Sequence, residues 1–285
     1  MDIVGLGTCN ADFILKIPRF ACGDDEVEVK QIFSSLGGSA SNFTVTLARL
    51  NIKTGIMARI GDDGLGKWAL DKFKREEVDV GRLVTVEGST GMTFIAVDPS
   101  AERSIYSFTG ANKQFIVDKE DINYIKNSKI LHISGTYCEV ADKASKYANE
   151  LSFNPGSLLS VYGVEKLSHI IKRAKFLFLN EKELFLLTKK DLEEGVQVIL
   201  DLGVPFVIVT MGGDGASLYN QEGFIHSSAC DVKAVDTTGA GDAFAAGFLA
   251  AYSRDKDLHQ CLNYANLVAS VCIKEFGPMN VPRGF

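Results

Sequence analysis

Small residues lead straight into a helical pattern at Val235-Asp236-Thr237-Thr238-Gly239-Ala240-Gly241-Asp242-Ala243-Phe244, which places a carboxylate in the first helical turn. Gly239, Ala240 and Gly241 carry little side chain, so backbone N–H groups there can approach an anion closely. The helix N-terminus adds partial positive charge. Charge developing on a transferring phosphoryl group would be stabilised at such a loop, with Asp242 beside it to accept the proton of an attacking hydroxyl. The blander reading is that Asp242 caps its helix and the glycines make a turn, the commoner fate of a lone Gly-x-Gly-Asp.

Four other segments carry polar groups at informative spacings. Gly37-Gly38-Ser39-Ala40-Ser41-Asn42 permits close backbone approach to a polyol and opens a helix whose Ser41 and Asn42 can pair with hydroxyls. The alternative is a glycine turn with Ser39 as helix cap. Asn10-Ala11-Asp12 follows the first strand, and the two oxygens of Asp12 suit a vicinal diol, although most Asp residues are surface carboxylates. Asn180-Glu181-Lys182-Glu183 is also a capping-box variant, and both readings can hold together. Thr210-Met211-Gly212-Gly213-Asp214-Gly215 follows a β-branched strand, where its glycines would let a nucleotide lie against the backbone or would simply turn a hairpin. Two tempting matches fail. Gly5-Leu6-Gly7-Thr8-Cys9-Asn10 lacks the third glycine of a dinucleotide fingerprint, and no G-x-x-x-x-G-K-[ST] loop occurs.

Taken in order along nearly the whole chain, these five segments resemble the motifs of the ribokinase-like (PfkB) carbohydrate kinases. The resemblance implies a ribokinase-like three-layer α/β/α sandwich, with a mostly parallel central sheet and a small β-sheet lid. It also implies transfer of the γ-phosphate of ATP to a hydroxyl of a small sugar, polyol or nucleoside. Asp242 would be the base and the Gly239, Ala240 and Gly241 N–H groups the anion hole. Asn10, Asp12, Gly37, Gly38 and Asn42 would hold the acceptor, together with Asn112 of Gly110-Ala111-Asn112. Asn180, Thr210, Gly212, Gly215 and, late in the chain, Asn266 would face the nucleotide. Glu183 would act on Mg²⁺ through water, since Mg²⁺ takes few protein ligands. Asp236 and Thr238 match positions that help bind a monovalent cation, K⁺, in many members. Ser39 and Ala40 stand where ribokinase proper has Lys and Gly, so ribose specificity is not implied. With no Arg-rich cluster beside the site in the sequence, an uncharged polyol or nucleoside is the expected acceptor. The rival reading is a catalytically silent sugar- or nucleotide-binding regulator of the same fold, against which the intact Asp242 loop argues.

The elements that must position these residues follow a βαβ rhythm. Strand patterns at Asp2 to Leu6, Lys53 to Ile60, Ile130 to Ile133, Leu151 to Phe153, Phe176 to Leu179 and Phe206 to Thr210 are interleaved with helical ones. The helical patterns cover Ser39 to Leu50, Leu65 to Glu77, Ala141 to Leu151 and Val164 to Lys172. A hairpin is expected at Ala216 to Asn220 and Gly223 to Ser227, then helices at Ala240 to Tyr252, Asp257 to Tyr264 and Ala265 to Phe276. Phe13 to Ser35 and Gly91 to Thr109 alternate polar and apolar residues like antiparallel strands, including Glu26 to Lys30 and Arg103 to Phe108. They fit one small sheet that covers a ligand at the end of the body. One kinase domain over 1–285 is expected, with this lid built from about 13–35 and 91–109.

Composition narrows the classes further. The chain has 285 residues, 46% hydrophobic content and a formal charge of −6, with no long basic block to attract nucleic acid or an anionic membrane. No run approaches the roughly 18 apolar residues of a membrane span, and the N-terminus lacks a signal-peptide pattern, so a cytoplasmic location is expected. The 6 Cys and 4 His are scattered, without zinc spacing. Lid edges can pair between two chains, which makes a homodimer through the lid compatible with the pattern.

Overall fold

The computed structural model describes residues 1–100 and 102–285. The chain begins with β1 (Ile3–Leu6), β2 (Asn10–Lys16), β3 (Gln31–Gly37), α1 (Ser39–Arg49), β4 (Thr54–Gly61), α2 (Gly64–Arg75) and β5 (Asp79–Val86). There follow β6 (Gly91–Val97), β7 (Arg103–Phe108), a short 3₁₀ turn at Gly110–Gln114, α3 (Lys119–Lys126), β8 (Ile130–Ser134), α4 (Cys138–Ser145) and β9 (Glu150–Asn154). The last part carries α5 (Gly156–Ser160), α6 (Gly163–Ile171), β10 (Ala174–Asn180), α7 (Glu181–Thr188), α8 (Leu192–Asp201) and β11 (Phe206–Thr210). After a turn at Gly212–Asp214 come β12 (Ala216–Asn220), β13 (Gly223–Ser227), α9 (Ala240–Tyr252) and α10 (Leu258–Cys272).

Nine strands form one sheet in the order β13-β12-β11-β10-β9-β8-β1-β4-β5, in which every pair is parallel except β11–β12 and β12–β13. Buried on both faces, its central strands read as unbroken apolar runs such as Ile130 to Ile133. Alternate residues of β1 go to opposite layers. Ile3 packs with α1, α9 and α10, whereas Val4 and Leu6 pack with the layer of α3 to α8. The α/β/α sandwich follows from that alternation.

A second sheet of four strands has the order β3-β2-β6-β7. Its two hairpins join through a parallel β2–β6 pair, where sequence alternation suggested antiparallel strands throughout. Both β2 and β6 are the outgoing strand of an excursion from the large sheet, so they leave in the same direction. The Glu26 to Lys30 segment is not a strand; pairing begins at Gln31, because charges at Asp24, Asp25, Glu26 and Glu28 offer no apolar face. Of the 91–109 stretch, Ala101 lies outside the described residues.

Two helical expectations shift. The two helices expected between Asp257 and Phe276 are one, α10, which ends at Cys272; it is started by an Asp257–Gln260 capping box and held on α9 by Cys261, Leu262, Ala265, Val268 and Cys272. The helix expected from Ala141 is α4, which ends at Ser145 so that Glu150 can enter β9.

Candidate functional site

The C-terminal ends of the parallel strands, the N-termini of α1 and α9, and one face of the small sheet meet in a cleft. Asp12 projects from β2 into it and is 8% exposed. The residue paired with it on β6, Thr93, hydrogen-bonds the carboxylate, but burial dominates and pushes its pKa up to about 6. Its Oδ1 is buried without a hydrogen-bond partner. Gly37 makes this placement possible, because a Cβ there would sit 1.9 Å from Asp12 Oδ2. Gly91 does the same for Asn10, whose Oδ1 would lie 2.3 Å from a Cβ at that position.

Asn112 is tucked behind this pair. Its Nδ2 donates to Asn10 Oδ1 at 2.8 Å and its Oδ1 accepts from the Cys9 N–H at 3.0 Å. With both ends of its amide engaged inside the protein, Asn112 fixes Asn10 and has no free polar end in the cleft. Gly38 is the N-cap of α1 at φ 93°, closely packed on Thr8, and Ser39 is the first helical residue with no side-chain capping bond in place. The simple glycine-turn reading with Ser39 as cap is therefore not what the chain adopts. One turn on, Asn42 Nδ2 donates to Asp242 Oδ2 at 2.8 Å, across 200 residues of sequence.

Asp242, partly buried in the first turn of α9, has its pKa pushed up to about 7 by burial; hydrogen bonds from Asn42 and Ser39 pull the other way, and the charge of Glu183 adds to the rise. A carboxylate with that value is poised to take a proton near neutral pH. Gly239 is the N-cap of α9 at φ 76°, pressed on Pro278. The Ala240 N–H is already bonded to Thr237 O at 3.2 Å, whereas no protein acceptor is found for the Gly239, Gly241 and Asp242 N–H groups among the described residues. The free donors are thus those of Gly239, Gly241 and Asp242, not the Gly239, Ala240 and Gly241 set read from the sequence. The reason is the tight turn that carries Thr237 into the helix. A Cβ at Gly241 would meet nothing within 4 Å, so this end of the helix is open.

Thr210, Gly212, Gly215 and Asn266 line one cavity of 490 Å³ together with Ala240 and Gly241. Asn266 Nδ2 holds the Ser227 and Ser228 carbonyls, so this amide group shapes the wall at the end of β13. The Asn180–Glu183 capping box is present in full, with Glu183 N–H on Asn180 Oδ1 at 2.8 Å and Asn180 N–H on Glu183 Oε2 at 3.1 Å. Burial raises the Glu183 pKa despite those bonds.

Asp236 and Thr238 lie on the rim of a second cavity of 500 Å³ between the small sheet and the body. Asp236 Oδ1 accepts from Thr238 N–H and Oγ1, and Oδ2 accepts from Gly277 N–H at 3.0 Å. Burial alone would raise its pKa, but these bonds outweigh it and hold the carboxyl low. The loop before α9 is thereby tied to the loop after α10. The latter carries Phe276, whose ring stacks on Phe33 of β3 at 5.7 Å and 8° and lies 4.3 Å from Lys16 Nζ.

Sequence reading missed Thr93 and Ser39 as partners of the two carboxylates. Thr93 becomes visible once β2 and β6 are paired. The walls at Ala229 to Val232, Ala269 and Ile273 of the first cavity carry no chemical signal of their own. No helix is long and apolar enough to cross a membrane among the described residues.

The profile described as pfkB family carbohydrate kinase matches residues 1–283. An ATP-dependent ribose-1-phosphate kinase from Halopiger xanaduensis is 31% identical over 285 residues, covering 98% of this chain and 94% of that protein. A nucleoside kinase from Methanothermobacter thermautotrophicus is 26% identical, covering 99% and 92%. The solved ribokinase of Arabidopsis thaliana, complexed with ribose and ATP, superposes with a TM-score of 0.87 at 26% identity, covering 97% and 93%.

Proposed function

Because this chain belongs to the pfkB family of carbohydrate kinases, we infer that it transfers the γ-phosphate of ATP to a hydroxyl of a small sugar or nucleoside. The carrying observation is the Asn42–Asp242 contact of 2.8 Å, which sets a carboxylate with a pKa near 7 beside the unbonded N–H groups at the start of α9. In this reading Asp242 accepts the acceptor hydroxyl's proton as its oxygen attacks phosphorus, and the Gly239, Gly241 and Asp242 N–H groups hold the phosphoryl oxygens. Asp12 and Asn10 bind the acceptor's other hydroxyls, Asn112 holding Asn10 in place. The nucleotide lies in the cavity of Thr210, Gly212, Gly215 and Asn266, and the small sheet closes the cleft as a lid against water.

Mg²⁺ fits a supporting place. Among the described residues no three His, Cys, Asp or Glu side chains gather as a metal-ligand set, so the ion would sit on ATP phosphates and water, with Glu183 acting on its water shell. When bound it neutralises phosphate charge. A monovalent cation such as K⁺ fits beside Asp236, which has accepted three hydrogen bonds of about four it can take, and Thr238. The outer face of the lid supports a second copy of the chain as partner: Ile32, Phe94, Tyr106 and Phe108 share that face by register and are all exposed.

An ADP-release assay with Mg-ATP and K⁺ across sugars and nucleosides, beside an Asp242→Asn control, tests the activity. The expected result is turnover with at least one acceptor that the control loses. Equal ADP release from both proteins would refute the role of Asp242.

A further inference from the structure

The second cavity contains a feature that linear reading hid. Lys16, Val97 and Arg103 form one cross-strand row of the small sheet, so Lys16 and Arg103 project from the same face as the Asp12–Thr93 row. Both line the cavity, as do Ile14, Ile95 and the Asp236–Thr238 loop. Neither side chain donates a hydrogen bond or enters a salt bridge among the described residues. The two carboxylates in the same lining are otherwise placed: Asp98 accepts from Ser100 N–H, Ser100 Oγ and Glu102 N–H, and Asp236 is bonded as described above. Lys16 Nζ lies against the Phe276 and Phe33 rings at 4.3 and 5.3 Å, so the cavity presents two cations without an anion bonded to them. The three bonds to Asp98 all fall on Oδ1, and Asp236 has one acceptor position left. Arg103 and Asp236 line the same cavity, and the guanidinium charge helps to hold the Asp236 carboxyl low.

On the kinase reading given above, we propose that Lys16 and Arg103 form a phosphate-binding subsite for the acceptor, and that the physiological acceptor is a sugar already carrying a phosphate. Four residues of strand separate Lys16 from Asp12, about 13 Å at Cα. A monosaccharide with a phosphate spans that interval once the lengths of the two side chains are subtracted. Its hydroxyls meet Asp12 and Asn10, the apolar face of its ring lies on Ile14 and Ile95, and its phosphate meets the two cations. A neutral nucleoside would fill the apolar part and leave both cations without an anion. This reverses the expectation of an uncharged acceptor, which rested on the absence of a linear Arg cluster; β2 and β7 contribute one cation each, 87 positions apart (103 − 16), and the sheet brings them together.

The test compares kcat/KM for ribose against ribose 1-phosphate, fructose against fructose 6-phosphate, and inosine, in the full-length enzyme and in Lys16→Gln and Arg103→Gln. Binding of the same compounds in the presence of Mg-ADP is measured by calorimetry. The expected result is a preference for a phosphorylated acceptor that falls about 10- to 100-fold with each substitution, while KM for ATP holds. A wild-type preference for the neutral compound overturns the subsite, as does a rise in the KM for ATP with acceptor preference unchanged, which would assign the cations to the nucleotide. Failure of turnover on every compound, with sugar-phosphate binding lost in the variants, would refute the kinase reading and leave the subsite standing.

Discussion

Replacing Asp242 by Asn removes the proton acceptor and keeps the side chain's size beside Asn42. General-base catalysis is worth about 10²–10⁴ in rate, so kcat should fall by that range with the acceptor KM little changed. The wild-type rate should climb with pH through about 7 as the carboxylate ionises, reaching roughly a tenth of its plateau at pH 6 and nine-tenths at pH 8. Stability should move the opposite way from activity. The folded-state pKa is raised, so ionising Asp242 disfavours the fold, increasingly as pH rises from the unfolded value toward 7 and constantly above it. At about 1.4 kcal/mol per unit, the rise from 3.8 to about 7 bounds the penalty near 4 kcal/mol. The group is partly solvent-exposed, which reduces this to about 1–3 kcal/mol. The Asn variant should then melt a few degrees higher at pH 8, with the gain shrinking as the pH drops below 7. Steady-state kinetics across pH and thermal melts at pH 6 and 8 read both quantities. An acid limb near pH 7 that survives in the variant, or a variant less stable at pH 8, would refute the assignment of base and penalty to this carboxylate.

Three further substitutions separate the parts of the cleft. Gly37→Ala drives a methyl into the Asp12 carboxylate and should raise the acceptor KM about 10- to 100-fold while leaving that of ATP alone; an unchanged acceptor KM would show that Asp12 does not bind it. Gly241→Ala places its methyl in open space, so melting should be unchanged or up by the helix preference for Ala, yet crowding of the phosphates should raise the KM for ATP about tenfold. Normal kinetics there would move the phosphates elsewhere. Phe276→Ala removes the ring stack that ties the lid to the body, an interaction worth about 0.5–1.5 kcal/mol, and should raise ADP release in the absence of acceptor relative to phosphoryl transfer. Product and ADP measured together decide it, and an unaltered ratio would sever lid contact from water exclusion.

Much of the fold was legible because its signals are local. Ile130 to Ile133 and Phe206 to Thr210 are β-branched or apolar runs of strand length, and the central sheet uses them as buried parallel strands. β5, α3 and α8 carry charged or mixed patterns and went unread, since their neighbours in space decide them more than their own residues do. Within the site, the loop before α9 announced itself by its small residues, of which Gly239 is demanded by its φ of 76° and its contact with Pro278. What the sequence could not display was which donor remains free after the turn is wound, as with Ala240, or which distant residues share a row, as with Thr93, Lys16 and Arg103. Those depend on hydrogen bonds and register, and a shift of one residue would turn each of these side chains to the opposite face.

On the proposed reading, specificity and strain at the acceptor end of the cleft reside in the same atoms. Asp12 Oδ1 and Asn42 Oδ1 are buried without partners, and burial raises the pKa of both Asp12 and Asp242. Each unpartnered oxygen disfavours the fold, and on the proposed reading each would accept from a hydroxyl of the acceptor. A ligand with hydroxyls at both positions removes the penalties together, so its binding free energy includes relief of polar strain that an analogue lacking one hydroxyl cannot provide. Discrimination between acceptors would then follow from which oxygen stays orphaned, while Phe276 and the Asp236–Gly277 bond connect the small sheet to the loop that opens α9. Acceptor recognition at the small sheet and phosphoryl stabilisation at the helix N-terminus would on this reading be coupled, because the Phe33–Phe276 stack and the Gly277–Asp236 bond join the two regions.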